Sequence, residues 1–385
     1  MSNHAGFAKP TGLTCRSLLD NLINIHMKIL TIVGARPQFI KAAVLSRVIS
    51  NQKGVNEVII HTGQHFDKNM SEIFFEEMDI PKPHYNLNIN SLSHGAMTGR
   101  MLEKIEDLII KEAPDVVVVY GDTNSTIAGA LAAKKLHVKV AHVEAGLRSY
   151  NTEMPEEINR ILTDRISDYL FCPTIASINN LKNEGFDNLN NQFYNVGDVM
   201  LDAALFYGKK SVEKSSIINR LNLKKFALCT IHRAENADNP EKLTGIFEAL
   251  NKLNNELPVL LPLHPRTQEK AEKLKIKPSF TIIEPVGYFD IIEILKHCNI
   301  VLTDSGGLQK EAFFFGKPCI TLREETEWIE LTAHSFNKLA GANPARIINA
   351  YKEFLCLDID FNIQLYGDGK AGEKIINTLL SEIYK

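Results

Sequence analysis

Two strand-like segments in the middle of the chain, each ending at an acidic residue, most constrain how the chain can fold. The first, Val116–Val119, is β-branched throughout and leads to Asp122 through a turn that contains Gly121. The second, Val138–Val143, follows an Ala-rich helical segment and ends at Glu144. Such segments separated by a helix are typical of parallel strands buried on both faces. Because ligands bind at the carboxyl ends of parallel strands, the pattern predicts two carboxylates at one binding site.

A further acidic group follows within a few residues, at the start of a predicted helix. Pro155 is the expected first residue of that helix, and Glu156 comes directly after it. Asn159 and Arg160 fall in its first turns. We therefore expect this helix to present a third carboxylate, an amide and a cation.

Strand and helix patterns alternate along the whole chain from Met27 onwards. This alternation predicts an α/β fold of two doubly wound, Rossmann-like domains in series. We place the first domain at residues 27–198 and the second at residues 199–365. We expect the amphipathic segment 366–385 to be a helix that returns to the first domain. Residues 1–26 precede the first strand as a leader, which is left out of the fold.

Charge and composition narrow the class of protein. The net charge of −3, with scattered Lys and Arg, predicts no nucleic-acid partner. No apolar run reaches the ~18 residues that a membrane span needs, so we expect no membrane insertion. The 6 cysteines are far apart, which favours a reducing, cytoplasmic location. The chain contains no G-x-G-x-x-G after its first strand, no Walker loop and no zinc pattern, so we expect neither cofactor nor metal.

Several turns after predicted strands carry groups that suit an anion. Arg36 and Lys41 lie beside the start of the first helix, where backbone N–H groups already favour negative charge. In the second half, an Asp-Ser-Gly-Gly turn opens a helix, and its glycines let N–H groups approach a diphosphate. Glu311 is placed one turn later to accept from a ribose diol. Other strand ends in that half carry cationic or donor side chains: His232, Arg233, His264, Arg266 and Arg323.

Eight segments in order resemble the non-hydrolysing UDP-N-acetylglucosamine 2-epimerases, which adopt the two-domain fold of the B-type glycosyltransferases (GT-B-like). The resemblance runs from Met27 to about Lys385. The segments are GARPQFIK (34–41), TGQH (62–65), GDTNS (121–125), HVEAGLR (142–148), PEEINR (155–160), HRAEN (232–236), DSGGLQKEA (304–312) and the Arg323 turn with Thr326-Glu327.

This resemblance implies roles for the matching positions. It implies catalytic roles for four residues, the acids placed around the sugar and a histidine near the diphosphate: Asp122, Glu144, Glu156 and His232. It implies, together with the strand-end pattern, substrate binding by a larger set: Arg36, Lys41, Arg148, Asn159, Arg160, Arg233, Glu235, His264, Arg266, Ser305, Gly306, Gly307, Glu311 and Arg323. It also implies a homodimer.

The implied reaction is inversion at C2 of a UDP-linked 2-acetamido sugar, by elimination of UDP to a glycal and re-addition, for surface polysaccharide precursors. Two other enzymes remain open: a hydrolysing epimerase that releases free sugar, and a GT-B glycosyltransferase that needs an acceptor. A nucleotide-sugar-binding protein without catalysis would have no need of three acids.

Two departures from the family pattern bear on the sugar. Members acting on UDP-N-acetylglucosamine usually have Glu-Ala in the first helical turn, where this chain has Gln38-Phe39. They usually have Arg-Pro after Thr-Glu, where it has Trp328-Ile329. Both resemble the branch acting on UDP-2,3-diacetamido-2,3-dideoxyglucuronate. We therefore predict a C3- or C6-modified sugar met by Gln38, with UDP-N-acetylglucosamine as the alternative, and we predict no allosteric control by substrate.

Overall fold

Two parallel β-sheets organise the chain, one in each half. A computed structural model describes residues 26–64 and 81–384. The first sheet contains β1 (Met27–Val33), β2 (Val55–His61), β3 (Tyr85–Asn86), β4 (Val116–Tyr120), β5 (Lys139–Val143), β6 (Tyr169–Cys172) and β7 (Gln192–Asn195). The second contains β8 (Ala227–Thr230), β9 (Val259–Pro262), β10 (Thr281–Ile283), β11 (Ile300–Thr303), β12 (Cys319–Thr321) and β13 (Asn337–Leu339).

Helices connect the strands. Those of the first half are α1 (Arg36–Ser50), α2 (His94–Glu112), α3 (Asn124–Lys135), α4 (Pro155–Ile166) and α5 (Ile175–Asn183). They are followed by α6 (Val199–Lys214), α7 (Ile217–Leu221), α8 (Ala234–Ala237), α9 (Pro240–Asn254), α10 (Pro265–Lys273), α11 (Tyr288–His297), α12 (Gly306–Phe314), α13 (Ile329–Ala333), α14 (Pro344–Leu355) and α15 (Ala371–Ile383).

The strand order of both sheets is that of a doubly wound fold. The first sheet runs β3-β2-β1-β4-β5-β6-β7 and the second β10-β9-β8-β11-β12-β13. In each, the order reverses beside the first strand, and doubly wound folds bind ligands at such a switch point. The acid-tipped strands β4 and β5 are neighbours that pair in parallel from Val116–Lys139 to Tyr120–Val143. The predicted α/β fold of two Rossmann-like sheets is confirmed.

Apolar packing covers both faces of the first sheet. Successive residues of β1 point to opposite sides, so Ile29 belongs to one buried cluster and Leu30 to another. The cluster around Ile29 includes Val44 of α1 and Ile375 of α15. The C-terminal helix therefore packs on the first half of the chain, while the exact domain boundaries stay a prediction.

Some elements differ from the sequence prediction. The short edge strands β3 and β13 were not predicted, because two or three residues are too few to show a period. A helix predicted at residues 69–77 lies outside the described residues, as do residues 1–25 of the leader. Within the described ranges, no helix is long and apolar enough to cross a membrane.

Candidate active site

The ends of β4 and β5 form a pair of tight turns that hold the two predicted acids. Gly121 and Glu144 both have left-handed backbones, with φ of 61° and 71°. Glycine adopts this conformation without strain, whereas a glutamate there costs free energy of order 1–3 kcal/mol. The Gly121 N–H donates to the carbonyl of Val143 at 3.0 Å and ties the turns together. Strained non-glycine backbone at a strand end is typical of a functional position.

Two lysines from different halves of the chain bind the Glu144 carboxylate. Lys41 of α1 forms an ion pair with Oε2, and Lys310 of α12 donates to Oε1 at 2.9 Å. A Cβ at Gly121 would lie 3.2 Å from Lys41 Nζ and 3.3 Å from Glu144 Oε2, so glycine leaves room for this contact. Burial acts to raise the pKa of Glu144, but Lys310 and Lys41 hold that pKa well below its usual range. Glu144 is therefore an ionised carboxylate.

Asp122 forms an ion pair with Arg160 of α4. Asn159 donates to the Asp122 carbonyl at 2.9 Å, so neighbouring residues of one helix hold both the side chain and the backbone of this turn. Burial acts to lower the pKa of Arg160, but Asp122 and Glu157 raise it above its ordinary value. The predicted group of Asp122, Asn159 and Arg160 is thus brought together.

The two adjacent glutamates of α4 have different surroundings. Glu157 is fully buried and accepts from the backbone N–H groups of Ser149 and Tyr150 and from Arg160. Glu156 is exposed in the first turn of the helix. Glu157 therefore fixes the loop before the helix, and a catalytic role for Glu156 stays a prediction.

In the second half, a buried carboxylate organises the predicted phosphate turns. Asp304, at the end of β11, accepts from the backbone N–H groups of His232 and Arg233, at 3.0 and 3.1 Å. The next residue, Ser305, caps α12 by accepting from Leu308 N–H. A Cβ added to Gly307 would meet nothing within 4 Å, so the first turn of α12 borders open space. This helix start offers N–H groups to an anion.

Glu327 lies between cations from both halves. It pairs with Arg323 at 2.9 Å, and Arg323, Arg233 and Arg160 lower its pKa against the raising effect of burial. A buried guanidinium nitrogen of Arg160, Nε, and one of Arg323, Nη2, have no hydrogen-bond partner among the described residues. Buried donors without partners are rare, which favours a bound anion or sugar hydroxyl there.

The remaining predicted residues differ in their contacts and in their exposure. Glu235 pairs with Lys242 at 2.7 Å, and Arg266 lies 3.6 Å from Asp238 on the surface. His232 is exposed, and the side chain of His264 caps α10. The carboxylate of Glu311 accepts from the Tyr288 hydroxyl at 3.0 Å. The Arg36 side chain and His65 lie outside the described residues.

Two residues have other partners than the sequence suggested. Gln38 was predicted to meet the sugar, but its Oε1 accepts from Gly34 and Ala35 N–H at the start of its own helix. That prediction is wrong, because Gln38 is 1% exposed and its amide is fully engaged. Arg148 donates to Asp164 at 2.7 Å and to both oxygens of Glu184. These contacts favour a structural role for Arg148, and its predicted substrate contact is not supported.

Sequence reasoning missed three residues of the site: Lys310, Asp198 and Glu327. Lys310 and Glu327 lie inside segments that carried the family resemblance, yet only their neighbours were assigned. A lysine among the apolar residues of a helix that must be buried was the available signal for Lys310. Asp198, which follows Gly197 at the end of the first half, had been given no role beyond a turn.

The chain is similar to known proteins along most of its length. The family model for UDP-N-acetylglucosamine 2-epimerase matches residues 47–380. A UDP-2,3-diacetamido-2,3-dideoxy-D-glucuronate 2-epimerase of Pseudomonas aeruginosa is 57% identical over 354 residues, 92% of this chain and 99% of that protein. A UDP-N-acetylglucosamine 2-epimerase homolog of Methanococcus maripaludis is 50% identical, with 92% of this chain and 99% of that one covered.

A solved structure has the same fold. The UDP-GlcNAc 2-epimerase of Methanocaldococcus jannaschii, in complex with UDP-GlcNAc and UDP, superposes with a TM-score of 0.84 at 42% identity. The match covers 92% of this chain and 100% of that one.

Proposed function

This chain belongs to the UDP-N-acetylglucosamine 2-epimerase family, and from that premise we propose that it inverts C2 of a UDP-linked 2-acetamido sugar. The observation that carries the proposal is the Lys310–Glu144 contact, which brings helix α12 to the ends of the two acid-tipped strands, β4 and β5. Acids and an anion-binding helix start thus face one cleft, as elimination and re-addition of a diphosphate require.

The chemistry explains why acids and cations must act together. The C2 proton is not acidic by itself, because C1 is an acetal rather than a carbonyl. As the C1–O bond breaks, its electron pair leaves with UDP and C1 gains positive character. A carboxylate then takes the C2 proton, and a 2-acetamidoglucal forms. Re-addition of UDP at C1, with proton delivery to the opposite face of C2, gives the epimer.

Several of the predicted residues have a place in this scheme. Glu144, Asp122 and Glu156 are the candidate acids for the proton transfer, and Glu144 is already ionised before the reaction. Lys41, Arg160, Arg323 and the α12 helix start suit the departing diphosphate. Exclusion of water between the two halves would protect the glycal from hydrolysis.

For the substrate we propose UDP-2,3-diacetamido-2,3-dideoxy-D-glucuronate, with UDP-N-acetylglucosamine as the alternative. The relative named for the diacetamido sugar is 57% identical, against 50% for the UDP-N-acetylglucosamine 2-epimerase homolog of Methanococcus maripaludis and 43% for the UDP-N-acetylglucosamine 2-epimerase of Methanocaldococcus jannaschii. Trp328, one of the two departures from the family pattern, lies beside the helix start, where its indole N–H donates to Gly306 O at 2.9 Å.

The test is incubation of the protein with each UDP sugar in D₂O. Deuterium at C2 of an intact UDP sugar, with both epimers present, is the expected result. UDP accumulating in step with free sugar would instead indicate a hydrolysing epimerase. Transfer to an added acceptor without C2 exchange would indicate a glycosyltransferase.

Asp122→Asn should lower turnover by about 10²–10⁴-fold, whereas Asp107→Asn, at an exposed ion pair on α2, should not.

Partners and location complete the proposal. We propose a homodimer, which the family resemblance implies. A sedimentation mass equal to one chain at micromolar concentration would contradict it. We also propose a cytoplasmic location, where UDP sugars for surface polysaccharides would be made, and the buried free thiols of Cys172, Cys229 and Cys319 are consistent with a reducing compartment.

A further inference from the structure

Lys310 lies where the two halves of the molecule meet. It belongs to α12, one turn after Ser305 and Gly306, yet its Nζ donates to two residues of the first half. The distances are 2.5 Å to Asp198 Oδ2 and 2.9 Å to Glu144 Oε1. Its ammonium also lies 4.0 Å from the centre of the Trp328 ring.

The charges around Lys310 balance. Lys310 and Lys41 face Glu144 and Asp198, and the four side chains are each at most 9% exposed. Burying any one of these charges alone would cost several kcal/mol, so each depends on the others. With a side chain 2% exposed, Lys310 has no surface left for a substrate to touch. Any effect on the reaction must therefore act through Glu144.

Resting on the proposed function, we propose that Lys310 is a positioning residue for the proton transfer at C2. It docks the UDP-binding helix α12 onto Glu144 and keeps that carboxylate ionised and oriented. Lys41 also pairs with Glu144, but it borders the cleft turn at Gly121 and is one of the cations proposed above for the departing diphosphate. Lys310 is more deeply buried, so it would remain with Glu144 if Lys41 turned to the phosphate.

The groups around this contact define its pH dependence. Glu144 is faced by Lys41 from α1 and Lys310 from α12. Around Lys310 lie Asp198 and, more distantly, Glu330. Tyr366 faces Glu330 and Asp198, and Asp202 of α6 lies near Asp198. Lys41 and Lys310 are thus the cations next to Glu144, and removing Lys310 takes away the one that no substrate can reach.

The experiment compares the pH profile of kcat/KM for wild type, Lys310→Met and Lys310→Arg. Loss of a neighbouring cation should move the acidic limb of Lys310→Met upward by about 1–3 pH units and lower its maximum, whereas Lys310→Arg should restore the limb toward wild type. Lys338→Met, which breaks the Lys338–Glu353 pair away from the site, is the matched control and should leave the profile unchanged.

A merely structural lysine would give a different result. Lowered melting temperature with an unmoved acidic limb in Lys310→Met would overturn the proposal. A ¹³C titration of the Glu144 side-chain carboxyl in the wild type, assigned with Glu144→Gln, needs no variant to fold. Titration of that carboxyl in the ordinary glutamate range would also overturn it. Absence of C2 exchange in the wild type would instead refute the proposed function, and an upward shift of the Glu144 carboxyl titration from wild type to Lys310→Met would still support the role of Lys310.

Discussion

At the scale of single residues, the amide of Gln38 closes the first βα turn. Its Oε1 accepts from Gly34 and Ala35 N–H at 2.8 and 3.0 Å. Its Nε2 donates to Tyr120 O at 2.8 Å and to Thr126 Oγ1 at 3.0 Å, so one side chain joins the ends of β1 and β4. A carboxylate could accept but not donate, which explains why an amide suits this chain.

We expect Gln38→Ala to lower the free energy of unfolding by about 1–3 kcal/mol, because it leaves buried N–H and C=O groups unpaired. The preference between the diacetamido sugar and UDP-N-acetylglucosamine should not change. Urea unfolding and turnover on both sugars measure the two effects. Gln268→Ala, at an exposed amide 3.2 Å from Glu272, is the control. A changed sugar preference with unaltered stability would contradict this expectation and indicate that Gln38 contacts the sugar.

Two adjacent glutamates of α4 differ in a way that the sequence could not predict. Glu156 and Glu157 are neighbours in sequence, but successive positions on a helix point about 100° apart. Glu157 is buried beneath the loop that carries Ser149, whereas Glu156 is exposed. A motif that contains both cannot show which one faces the loop, because the answer depends on how the helix packs.

At the scale of elements, the start of α12 combines a cap with an open glycine. Gly306 leaves room for Glu327, since a Cβ there would lie 2.3 Å from Glu327 Oε1 and the carboxylate would have to shift. Gly307 has no such neighbour within 4 Å. If the diphosphate binds at this turn, the missing side chain at Gly307 leaves space for the ligand rather than for the protein.

Gly307→Ala should therefore keep the fold but weaken UDP binding by about tenfold or more, the effect expected when one methyl group intrudes on a ligand. Titration calorimetry with UDP and a thermal melt measure the two outcomes. Gly95→Ala makes the same change at the second position of α2, where an added Cβ also meets nothing, and should alter neither. Unchanged UDP affinity in Gly307→Ala would show that the diphosphate does not bind at this turn.

Element order was largely predictable because β-branched runs and turn residues mark parallel strands well. The strand ends at Asp122, Glu144 and Asp304 follow from that pattern. The Lys310–Glu144 contact could not be predicted, since 166 residues separate its partners and no local period relates them. Contacts between halves depend on how the two sheets meet, which sequence periodicity does not encode.

At the scale of the whole molecule, the end of the chain packs back on its beginning. Helix α15 buries Ile375, Ile376 and Leu379 in the cluster that contains Ala43 and Val44 of α1. Asp202 of α6 accepts from the N–H groups of Ala371 and Gly372 and fixes the start of α15. Stability of the first half should therefore depend on the last residues of the chain.

Leu379→Ala tests this dependence. Removing a fully buried leucine should lower the free energy of unfolding by about 2–5 kcal/mol and speed amide hydrogen exchange in α1 as well as in α15. Leu355→Ala, at a side chain 65% exposed, is the matched control and should change neither. Faster exchange confined to α15 would mean that this helix opens as a separate unit. Faster exchange in α1 would mean that the first turn, and with it Lys41, depends on the C-terminal helix for its position.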